Sequence, residues 1–431
     1  MNYQIINIAI VGFGNIGSYF YKTLEKNKES IAKKTNKLPY VKYICAKSYK
    51  KKRNIKIPKN KWIKNFSKII LDDDVDLVVE LIGGSEGPAK KLVFSALRNG
   101  KHVITANKSL MSKHGDKLAI IAEKNNVNLE YEASVAGGIP IIRSIKEGLV
   151  ANKINKIYGI LNGTTNYILS SMESKNKTFP EILNKAKKLG FAESDPSSDL
   201  NGNDSASKLR ILSSLSFNKS ISKNKILIEG IQNINLNDIL YAKNLGYRIK
   251  LLSISEIRRN KLMERVHPCL ISKNSYIAKI DGVLNAVVVD GLPVGKSVLQ
   301  GEGAGPGPTT SALISDVCSV LKGDVNYPFG VSAISRKQIS KFNVLNHYCS
   351  SYLRIEVKDQ AGVLSSITKN FAKNKISIKN LIQKPDKKNK KASIIIITHD
   401  NFEKNFNNLL NNLSKNRFVL KKPTFIRIEN V

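Results

Sequence analysis

The first third of the chain alternates short, continuous apolar runs with segments in which apolar residues recur at helical spacing. Such runs predict buried strands, and the segments between them predict helices that cover a sheet. The predicted strands are residues 5–11, 40–46, 75–82, 102–105 and 128–132, and the predicted helices are residues 16–27, 90–99 and 116–125. Because strands that alternate with helices form parallel sheets, the pattern predicts a doubly wound α/β domain.

Beyond residue 132 the pattern becomes mixed, which favours a second domain of α+β type. A glycine- and proline-rich stretch at residues 300–308 predicts a loop. The other predicted elements are strands at 153–161 and 283–290, helices at 179–189, 205–215 and 309–321, and a linker at 323–348. We expect the domains to be residues 1–132 (completed by about 305–340), 133–304 and 350–431.

Lysine and arginine outnumber aspartate and glutamate by 70 to 34, so the 431-residue chain has a formal net charge of +36. Such a charge is typical of nucleic-acid binding. The lysines, however, are spread over helices, loops and the C-terminal region without a stripe of interleaved aromatic residues. We therefore favour a general compositional bias and expect no nucleic-acid partner, although the charge should attract anionic small molecules.

The apolar runs are far shorter than the ~18–20 residues that cross a bilayer. The N-terminus shows neither a basic n-region nor a small-residue cleavage site. The four cysteines follow no metal-binding or redox spacing; they are Cys45, Cys269, Cys318 and Cys349. We expect reduced thiols, no membrane association and a cytoplasmic location.

A glycine-rich turn follows the first predicted strand and opens the first predicted helix. It reads Gly12-Phe13-Gly14-Asn15-Ile16-Gly17. The first glycine permits a tight turn, the second lets the backbone approach a pyrophosphate, and the third lets helix and strand pack closely. Since the helix N-terminus also presents free N–H groups to phosphate, the motif predicts a Rossmann domain that binds a dinucleotide.

The end of the second predicted strand indicates which dinucleotide is bound. NAD sites usually carry Asp or Glu there to bind the ribose 2′-hydroxyl. This chain instead has the basic loop Ala46-Lys47-Ser48-Tyr49-Lys50-Lys51-Lys52-Arg53. Because cationic side chains such as Lys47 can hold a 2′-phosphate, we favour NADP(H) over NAD(H); a solvated loop without cofactor contacts is the alternative.

Residues 186–208, AKKLGFAESDPSSDLNGNDSASK, concentrate acidic side chains in a basic protein. Asp204 and Lys208 are four residues apart where a helix is predicted to begin, so both side chains lie on one face. Any single residue here would usually be a helix cap or a surface ion pair. The full set, which is Glu193, Asp195, Asp199, Asp204 and Lys208, favours a catalytic segment.

This segment resembles the signature of homoserine dehydrogenases, in which Ala-x3-Gly, an aromatic or aliphatic residue and a small residue precede acidic-Pro-x2-Asp and Gly-x-Asp-x3-Lys. Every fixed position is met between Ala186 and Lys208. Further matches are Gly83-Gly84 with Pro88-Ala89, Thr105–Lys108, Glu132–Val135, Gly137–Pro140, Leu161–Leu169 and Gly301–Thr309. The resemblance covers about residues 5–330 and implies NAD(P)H-dependent reduction of L-aspartate 4-semialdehyde to L-homoserine, in threonine and methionine biosynthesis. The run Asn162–Asn166 fits a wall of the substrate cleft and a structural turn equally well.

The resemblance also implies that the α+β domain binds substrate and forms dimer contacts, and it implies roles for individual residues. Lys208 would be the general acid that protonates the carbonyl oxygen as hydride arrives, and Asp204 would orient it. Glu193, helped by Asp199, would bind the α-ammonium group of the substrate, and Lys108 would lie beside nicotinamide and substrate. With Lys47 from the basic loop, the expected cofactor residues are Gly12, Phe13, Gly14, Asn15, Ile16, Gly17, Thr105, Lys108 and Gly303.

A site for a monovalent cation, Na⁺ or K⁺, is implied as well. Its ligands would be the carboxylate of Glu132 and the carbonyl oxygens of Val135, Gly137 and Ile139. An oxygen-rich ring of this kind suits a hard cation. The role would be structural, bracing the hinge between the domains.

Residues 350–431 have apolar segments in the order strand, helix, strand, strand, helix, strand, which predicts a ferredoxin-like domain. The turn Asp359-Gln360-Ala361-Gly362-Val363-Leu364 resembles that of ACT domains, in which the glycine meets an amino acid at a dimer interface. This resemblance implies sensing of threonine at Gly362, and we expect a homodimer or homotetramer. A dimerisation element that binds no ligand is the alternative.

Two other functions fit parts of the pattern. A dehydrogenase of another amino acid, such as aspartate, would use a similar frame, and a non-catalytic sensor would use the first and last domains to bind NAD(P) and an amino acid. The unbroken signature argues against the first function. The presence of Lys108, Asp204 and Lys208 argues against the second.

Overall fold

The computed structural model describes residues 3–48, 53, 55–386 and 390–431. Its helices are α1 (Asn15–Thr35), α2 (Ser67–Leu71), α3 (Pro88–Arg98), α4 (Lys108–Lys124), α5 (Ile141–Arg143), α6 (Gly163–Lys175), α7 (Phe179–Lys188), α8 (Ser197–Leu200), α9 (Asn203–Phe217), α10 (Leu236–Asn244), α11 (Pro306–Lys322), α12 (Val363–Lys373) and α13 (Glu403–Ser414). Its strands are β1 (Gln4–Val11), β2 (Lys37–Cys45), β3 (Trp62–Ile63), β4 (Leu77–Glu80), β5 (His102–Thr105), β6 (Leu129–Glu130), β7 (Lys153–Ile160), β8 (Leu227–Ile228), β9 (Tyr247–Arg258), β10 (Lys261–Ser272), β11 (Leu284–Leu292), β12 (Gly295–Glu302), β13 (Tyr348–Cys349), β14 (Ser351–Lys358), β15 (Ile378–Asp386), β16 (Lys391–Thr398), β17 (Asn401–Phe402) and β18 (Thr424–Ile428). None of these helices is long and apolar enough to cross a membrane.

The N-terminal domain is a six-stranded parallel sheet in the order β3-β2-β1-β4-β5-β6. This is the Rossmann order, in which ligands bind where the strand order reverses, beyond the carboxyl ends of the strands. Here the reversal lies between β1 and β4, and α1 begins directly after β1. The predicted fold is therefore confirmed, and the glycine turn lies at the switch point.

Helix α11 returns from late in the chain to this first domain. Its residues Leu313 and Val317 are fully buried in one apolar cluster with Ile8 and Ile10 of β1 and Phe20 of α1. Residues near 300–308, predicted as a loop, are more ordered than expected. Strand β12 continues to Glu302 and α11 begins at Pro306, since proline suits the first turn of a helix.

The second sheet is mixed and joins two domains. Its order is β12-β11-β7-β9-β10-β18-β14-β16-β15. The first five strands belong to the middle domain and the last four to the C-terminal domain, whose own order β18-β14-β16-β15 is ferredoxin-like. The two parts meet where β10 pairs in parallel with β18, Cys269 opposite Arg427 and Leu270 opposite Ile428. The C-terminal domain thus extends the sheet of the middle domain.

Buried ion pairs secure this junction. Arg265 of β10 is fully buried and bonds to Glu256 of β9 and to Glu429, which follows β18, with N–O distances of 2.6 and 2.9 Å. On the C-terminal side, Arg354 of β14 bonds to Asp238 of α10 at 2.6 Å. Since a buried charge is tolerated only when paired, these contacts fix how the two domains meet.

His267, Cys269 and Glu429 form a buried group at the same junction, with nitrogen, sulfur and oxygen atoms within 4.8 Å of one another. One effect opposes a metal there: burial raises the pKa of the Cys269 thiol well above its usual value, which disfavours the thiolate that a metal requires. Burial together with Arg427 lowers the pKa of His267 to about 3, so its imidazole is neutral. Because Glu429 already accepts hydrogen bonds from Arg265, we assign this group to the structural ion-pair network.

Residues 323–348, predicted as a linker, form a strap with defined contacts to the first domain. The Asn128 side chain bonds to the backbone at Asp324 and Asn326. The Tyr131 hydroxyl donates to the carbonyl of Pro328 at 2.8 Å. The strap therefore ties the C-terminal domain to the far edge of the Rossmann sheet.

Removal of the Glu429 carboxylate should cost about 3–5 kcal/mol of stability, because Arg265 would keep a buried charge with one partner fewer. We expect Glu429→Ala to lower the midpoint of thermal and urea unfolding. Glu147→Ala removes an exposed carboxylate 3.8 Å from Arg143 and should cost about 0–1 kcal/mol. Equal midpoints for the two variants would contradict this view of the junction.

Candidate active site

The glycine turn after β1 has the geometry that a pyrophosphate needs. Gly12 has φ +102°, and a Cβ on it would lie 2.4 Å from the carbonyl carbon of Leu81. A Cβ on Gly17 would lie 2.4 Å from the carbonyl oxygen of Gly12. A Cβ on Gly14 would have no described atom within 4 Å. Gly12 and Gly17 are thus required by packing, whereas Gly14 faces open space at the N-terminus of α1.

Basic side chains lie beside this turn. Arg53 donates from Nε to the carbonyl of Phe13 at 3.0 Å and from Nη2 to the carbonyl of Ser48 at 2.8 Å. Its guanidinium carbon lies 5.2 Å from the centre of the Trp62 ring, and Lys47 is exposed. Tyr49, Lys50, Lys51 and Lys52 of the predicted basic loop lie outside the described residues.

Thr105, at the end of β5, is tied to the neighbouring strand end by a buried carboxylate. Its hydroxyl donates to Glu80 Oε2 at 2.6 Å. The other oxygen of Glu80 accepts from the N–H groups of Ile82 and Gly83 at 2.7 and 2.9 Å. Glu80 therefore shapes the Gly83-Gly84 turn, a part that the sequence analysis did not assign.

Asp204 lies between two lysines that come from different domains. It is in the first turn of α9, and its Oδ2 pairs with Lys208 Nζ one turn further along at 2.8 Å. Its Oδ1 pairs at 2.6 Å with Nζ of Lys108, the first residue of α4 in the Rossmann domain. Asp204 and Lys208 are buried, while the Lys108 side chain is 40 % exposed. The structure thus brings the three predicted catalytic residues together.

Electrostatics keep Asp204 ionised. Burial opposes its charged form, but Lys208 and Lys108 outweigh burial and hold the pKa of the carboxyl well below its usual range. Because the folded pKa is depressed, this stabilisation is present at neutral pH and is lost only as the pH falls below the ordinary carboxyl range. Two ammonium groups and one carboxylate leave this cluster with one net positive charge.

Asn162 connects the two halves of the acidic segment. Its Oδ1 accepts from the N–H of Thr165 and caps α6. Its Nδ2 donates to Asp199 Oδ1 at 2.8 Å and to Asp204 Oδ2 at 3.1 Å. Lys208 Nζ also donates to the carbonyl of Leu161 at 2.7 Å. The Asn162 turn is therefore a structural cap that also contacts both carboxylates; the interpretation as a wall of the substrate cleft stays a prediction.

Glu193 is exposed on the loop between α7 and α8. The loop is anchored next to it, since Thr164 donates to the carbonyl of Phe191 at 2.7 Å and the Phe191 ring contacts that of Tyr167 edge-on. Asp199 lies in α8 on the same loop. The loop thus presents carboxylates near the start of α6.

The expected cation loop is tightly folded against the start of α11. Ala136 and Gly137 have φ of 56° and 49°, and a Cβ on Gly137 would lie 2.5 Å from the carbonyl oxygen of Gly303. The Glu132 carboxylate accepts from the N–H groups of Ile142 and Arg143, both at 2.8 Å. Burial raises the pKa of Glu132 to about 7 despite these bonds. The hard oxygen donors fit a cation, since each carboxylate and carbonyl oxygen keeps a further lone pair.

At the far end of the chain, Gly362 has φ +85° and is exposed at the N-terminus of α12. A Cβ there would have no described atom within 4 Å. The turn predicted to meet an amino acid is therefore open, with the backbone accessible.

Comparison with known proteins covers nearly the whole chain. The family models "Homoserine dehydrogenase, NAD binding domain", "Homoserine dehydrogenase" and "ACT domain" match residues 12–132, 140–318 and 351–418. The homoserine dehydrogenase of Neisseria gonorrhoeae is 38% identical over 99% of both chains. The chain belongs to the homoserine dehydrogenase family.

Solved structures of the homoserine dehydrogenase family agree with the fold. That from Thiobacillus denitrificans superposes with a TM-score of 0.92 at 36% identity, covering 100% of this chain and 99% of that one. A hyperthermophilic archaeal homoserine dehydrogenase mutant in complex with NADPH has a TM-score of 0.63 at 25% identity, covering 75% of this chain and 99% of that one. The chain is thus an oxidoreductase of this family with a nicotinamide dinucleotide cofactor, and neither an aspartate-type dehydrogenase nor a non-catalytic sensor is favoured.

Gly14→Ala and Gly12→Ala should separate cofactor binding from folding. Gly14→Ala places a methyl group in the open space before α1, so we expect an unchanged unfolding temperature and a cofactor KM raised about tenfold or more. Gly12→Ala should lower both stability and cofactor binding, because the Cβ meets the backbone of Leu81. Thermal unfolding and initial rates measure both effects. An unchanged cofactor KM in Gly14→Ala would contradict this placement of the dinucleotide.

Proposed function

We propose that the Lys108–Asp204–Lys208 cluster is the catalytic centre for the reduction of L-aspartate 4-semialdehyde to L-homoserine. The observation that carries this proposal is the buried Asp204 carboxylate held between two ammonium groups. When bound, the reduced nicotinamide supplies a hydride to the aldehyde carbon. Lys208 stabilises the negative charge that develops on the oxygen and donates the proton to it.

The contacts of Lys208 support its role as the acid. An ammonium has three donors, and Lys208 directs two of them at Asp204 Oδ2 and the carbonyl of Leu161. The third is left for a substrate oxygen. Lys108, on the Rossmann side of Asp204, holds the substrate near the cofactor in this proposal, since its side chain is more exposed than that of Lys208.

Carboxylates of the acidic loop, which we define as residues 189–202 between α7 and α9, would recognise the amino group of the substrate. Glu193 is exposed and binds the α-ammonium in this proposal, while Asp199 is held in place by the Asn162 amide. The ammonium group distinguishes homoserine from alcohols that lack an amino group, and an acidic loop can bind it. The acidic loop thus gives a strongly basic protein a site for a cationic group.

Lys208→Met should lower kcat by about 10²–10⁴-fold, because the general acid is lost while the length of the side chain is kept. Cofactor affinity, measured by fluorescence titration, should not change. Lys188→Met, which alters an exposed lysine of α7, is the control and should retain full activity. Undiminished turnover in Lys208→Met would refute the assignment.

Glu193→Gln should raise the KM for homoserine by about 10–100-fold, since a hydrogen bond to a charged group contributes about 1.5–3 kcal/mol. The value of kcat should change far less. Asp195→Asn is a matched control on the same loop, because Asp195 bonds locally to Ser197. Equal KM values for the two variants would show that Glu193 does not bind the substrate.

We also propose that NADP(H) is preferred over NAD(H). Support comes from the absence of a carboxylate between Ala46 and Arg53 in the sequence, from Arg53 beside the glycine turn and from the NADPH in the archaeal relative. Lys47 is proposed to contact the 2′-phosphate.

Lys47→Ala should raise the KM for NADP⁺ about three- to fivefold, the scale of one exposed ion pair, and leave the KM for NAD⁺ unchanged. Lys26→Ala, an exposed lysine about three turns into α1, controls for total charge. Initial rates with the two cofactors measure the ratio. A parent protein that turns over faster with NAD⁺ would contradict the preference.

Glu132, with the carbonyls of Val135, Gly137 and Ile139, is proposed to hold Na⁺ or K⁺ as a structural brace. The buried carboxylates of Glu132 and Asp316 support this, since burial raises the pKa of both and a cation would neutralise charge there. Unfolding temperatures in Na⁺, K⁺ and tetramethylammonium salts test the proposal. Identical values in all three would count against it.

We propose that threonine binds at the open Gly362 turn and lowers activity. The exposed backbone at this turn supports an amino-acid ligand rather than a purely structural role. Allostery requires threonine to bind two states with different affinity. Persistent inhibition by threonine after Gly362→Val would disprove this site.

A homodimer or homotetramer is proposed on the basis of the sheet ends. Strand β12 ends the mixed sheet within the described chain and carries the exposed Val298, with Leu292 and Val294 exposed beside it. Exposed apolar edge strands commonly pair with another chain. Light scattering that gives a monomer mass at micromolar concentration would rule this out.

We also propose a cytoplasmic location, consistent with four free cysteines; recovery of the protein in the membrane fraction would refute it.

A further inference from the structure

Residues 227–231 lie between the C-terminal domain and the acidic loop, which carries Asp199 and leads into Asp204 at the start of α9. Strand β8 begins this segment and pairs in parallel with β10, Leu227 opposite Arg265 and Ile228 opposite Val266. The N–H of Glu229 then donates to the carbonyl of Val266 at 2.8 Å. The segment is therefore fixed to the same strand that joins the C-terminal domain.

One side of the segment contacts the acidic loop without a gap. The N–H of Ile231 donates to the carbonyl of Leu200 at 3.0 Å. A Cβ on Gly230 would lie 2.3 Å from that carbonyl oxygen and 2.8 Å from Cα of Asn201. A Cβ on Gly202 would lie 3.1 Å from Cγ2 of Ile228. Because backbone lies directly on backbone here, a shift of the segment displaces the loop.

The opposite side of the segment is held by the C-terminal domain. Arg427 of β18 bonds to Glu229 with both terminal nitrogens, Nη1 to Oε2 at 2.8 Å and Nη2 to Oε1 at 3.0 Å. The same guanidinium bonds to Glu403, the first residue of α13. The Arg427 side chain is only 3 % exposed and that of Glu229 is 38 % exposed, so the contact is buried on the Arg427 side. Its two parallel, charge-assisted hydrogen bonds fix the orientation of the two groups.

The charge state of Glu229 fits such a link. Burial works against its charged form, but Arg427 outweighs burial and keeps the pKa of Glu229 below its usual value. Glu229 therefore stays ionised near neutral pH and keeps its contact with Arg427.

We propose that Arg427 and Glu229 are positioning residues for the acidic loop. They act through Gly230 on Leu200, Asn201 and Gly202. The C-terminal domain then sets the position of Asp199 and Asp204. It would thus contribute to substrate binding as well as extend the sheet of the middle domain. The proposal rests on the substrate and catalytic roles proposed above for this loop. It also gives any ligand-driven shift of β18 a direct route to substrate affinity.

The test compares three variants of the full-length protein. Glu229→Gln keeps the shape and removes the charge, and Gly230→Ala adds a methyl group against the loop. Tyr352→Phe is the control, because it removes another buried contact between the two domains. This contact is the hydrogen bond from Tyr352 to Asp238 of α10, in which no residue of the acidic loop takes part. Initial rates give kcat and KM for homoserine and for the cofactor, and thermal unfolding reports the fold.

Glu229→Gln should raise the KM for homoserine about 3–30-fold, with the larger change in Gly230→Ala. The KM for the cofactor should stay within about twofold, because none of the contacts described for the segment involves the glycine turn. Tyr352→Phe should lower the unfolding temperature and leave both KM values unchanged. Since Glu229→Gln is isosteric and the Glu229 side chain is 38 % exposed, this variant should remain folded even if Gly230→Ala does not.

A folded Glu229→Gln with a homoserine KM within about twofold of the parent would overturn the proposal. So would a rise in the KM of Tyr352→Phe equal to that of Glu229→Gln, since the effect would then reflect general loosening. The Glu193→Gln variant separates the two levels of the argument. If it too leaves the KM for homoserine unchanged, the proposed role of the acidic loop in substrate binding is wrong. If it raises this KM and Glu229→Gln does not, only the proposed coupling to the C-terminal domain is wrong.

Discussion

The buried carboxylate of Asp204 is the constraint on which the rest of the site depends. It can remain ionised in a protein interior only because two ammonium groups compensate its charge, and those groups come from different domains. The pairing therefore fixes α4 of the Rossmann domain against α9 of the middle domain. Helix α4 begins next to the end of β5, where a nicotinamide would lie, so the same pairing places the proposed proton donor near the proposed hydride donor.

A second set of buried polar groups keeps this arrangement rigid. Asn162 aligns Asp199 with Asp204, and Glu80 fixes the turn beside Thr105. Further out, Arg265 and Arg427 attach the C-terminal strand to the middle domain. The groups named here are linked by charge-assisted hydrogen bonds, which would pre-organise the proposed catalytic groups before a substrate arrives.

The sequence predicted the Rossmann domain and the Asp204–Lys208 pair because both are local, whereas Lys108 was assigned only from the family resemblance. The glycine turn needs only six consecutive residues, and Asp204 and Lys208 are one helical turn apart. The long hairpin of β9 and β10 was not predicted, since both strands are buried on both faces and carry charges, Lys250 and Arg265, that interrupt the apolar pattern. These charges are neutralised by partners distant in sequence, which no local pattern reveals. The role of Glu80 and the two-residue pairing of β10 with β18 were missed for the same reason, because the partners are distant in sequence.

The central claim is that an ionised Asp204, held between Lys108 and Lys208, is required for reduction of the substrate. The most direct test is the rate of homoserine-dependent cofactor reduction, followed at the reduced-nicotinamide absorbance band, in the parent protein and in Asp204→Asn. We predict clear turnover in the parent and a fall in kcat of about 10²-fold or more in the variant, with cofactor affinity retained. Turnover in Asp204→Asn equal to that of the parent, or no homoserine-dependent reduction by the parent with either cofactor, would contradict the account.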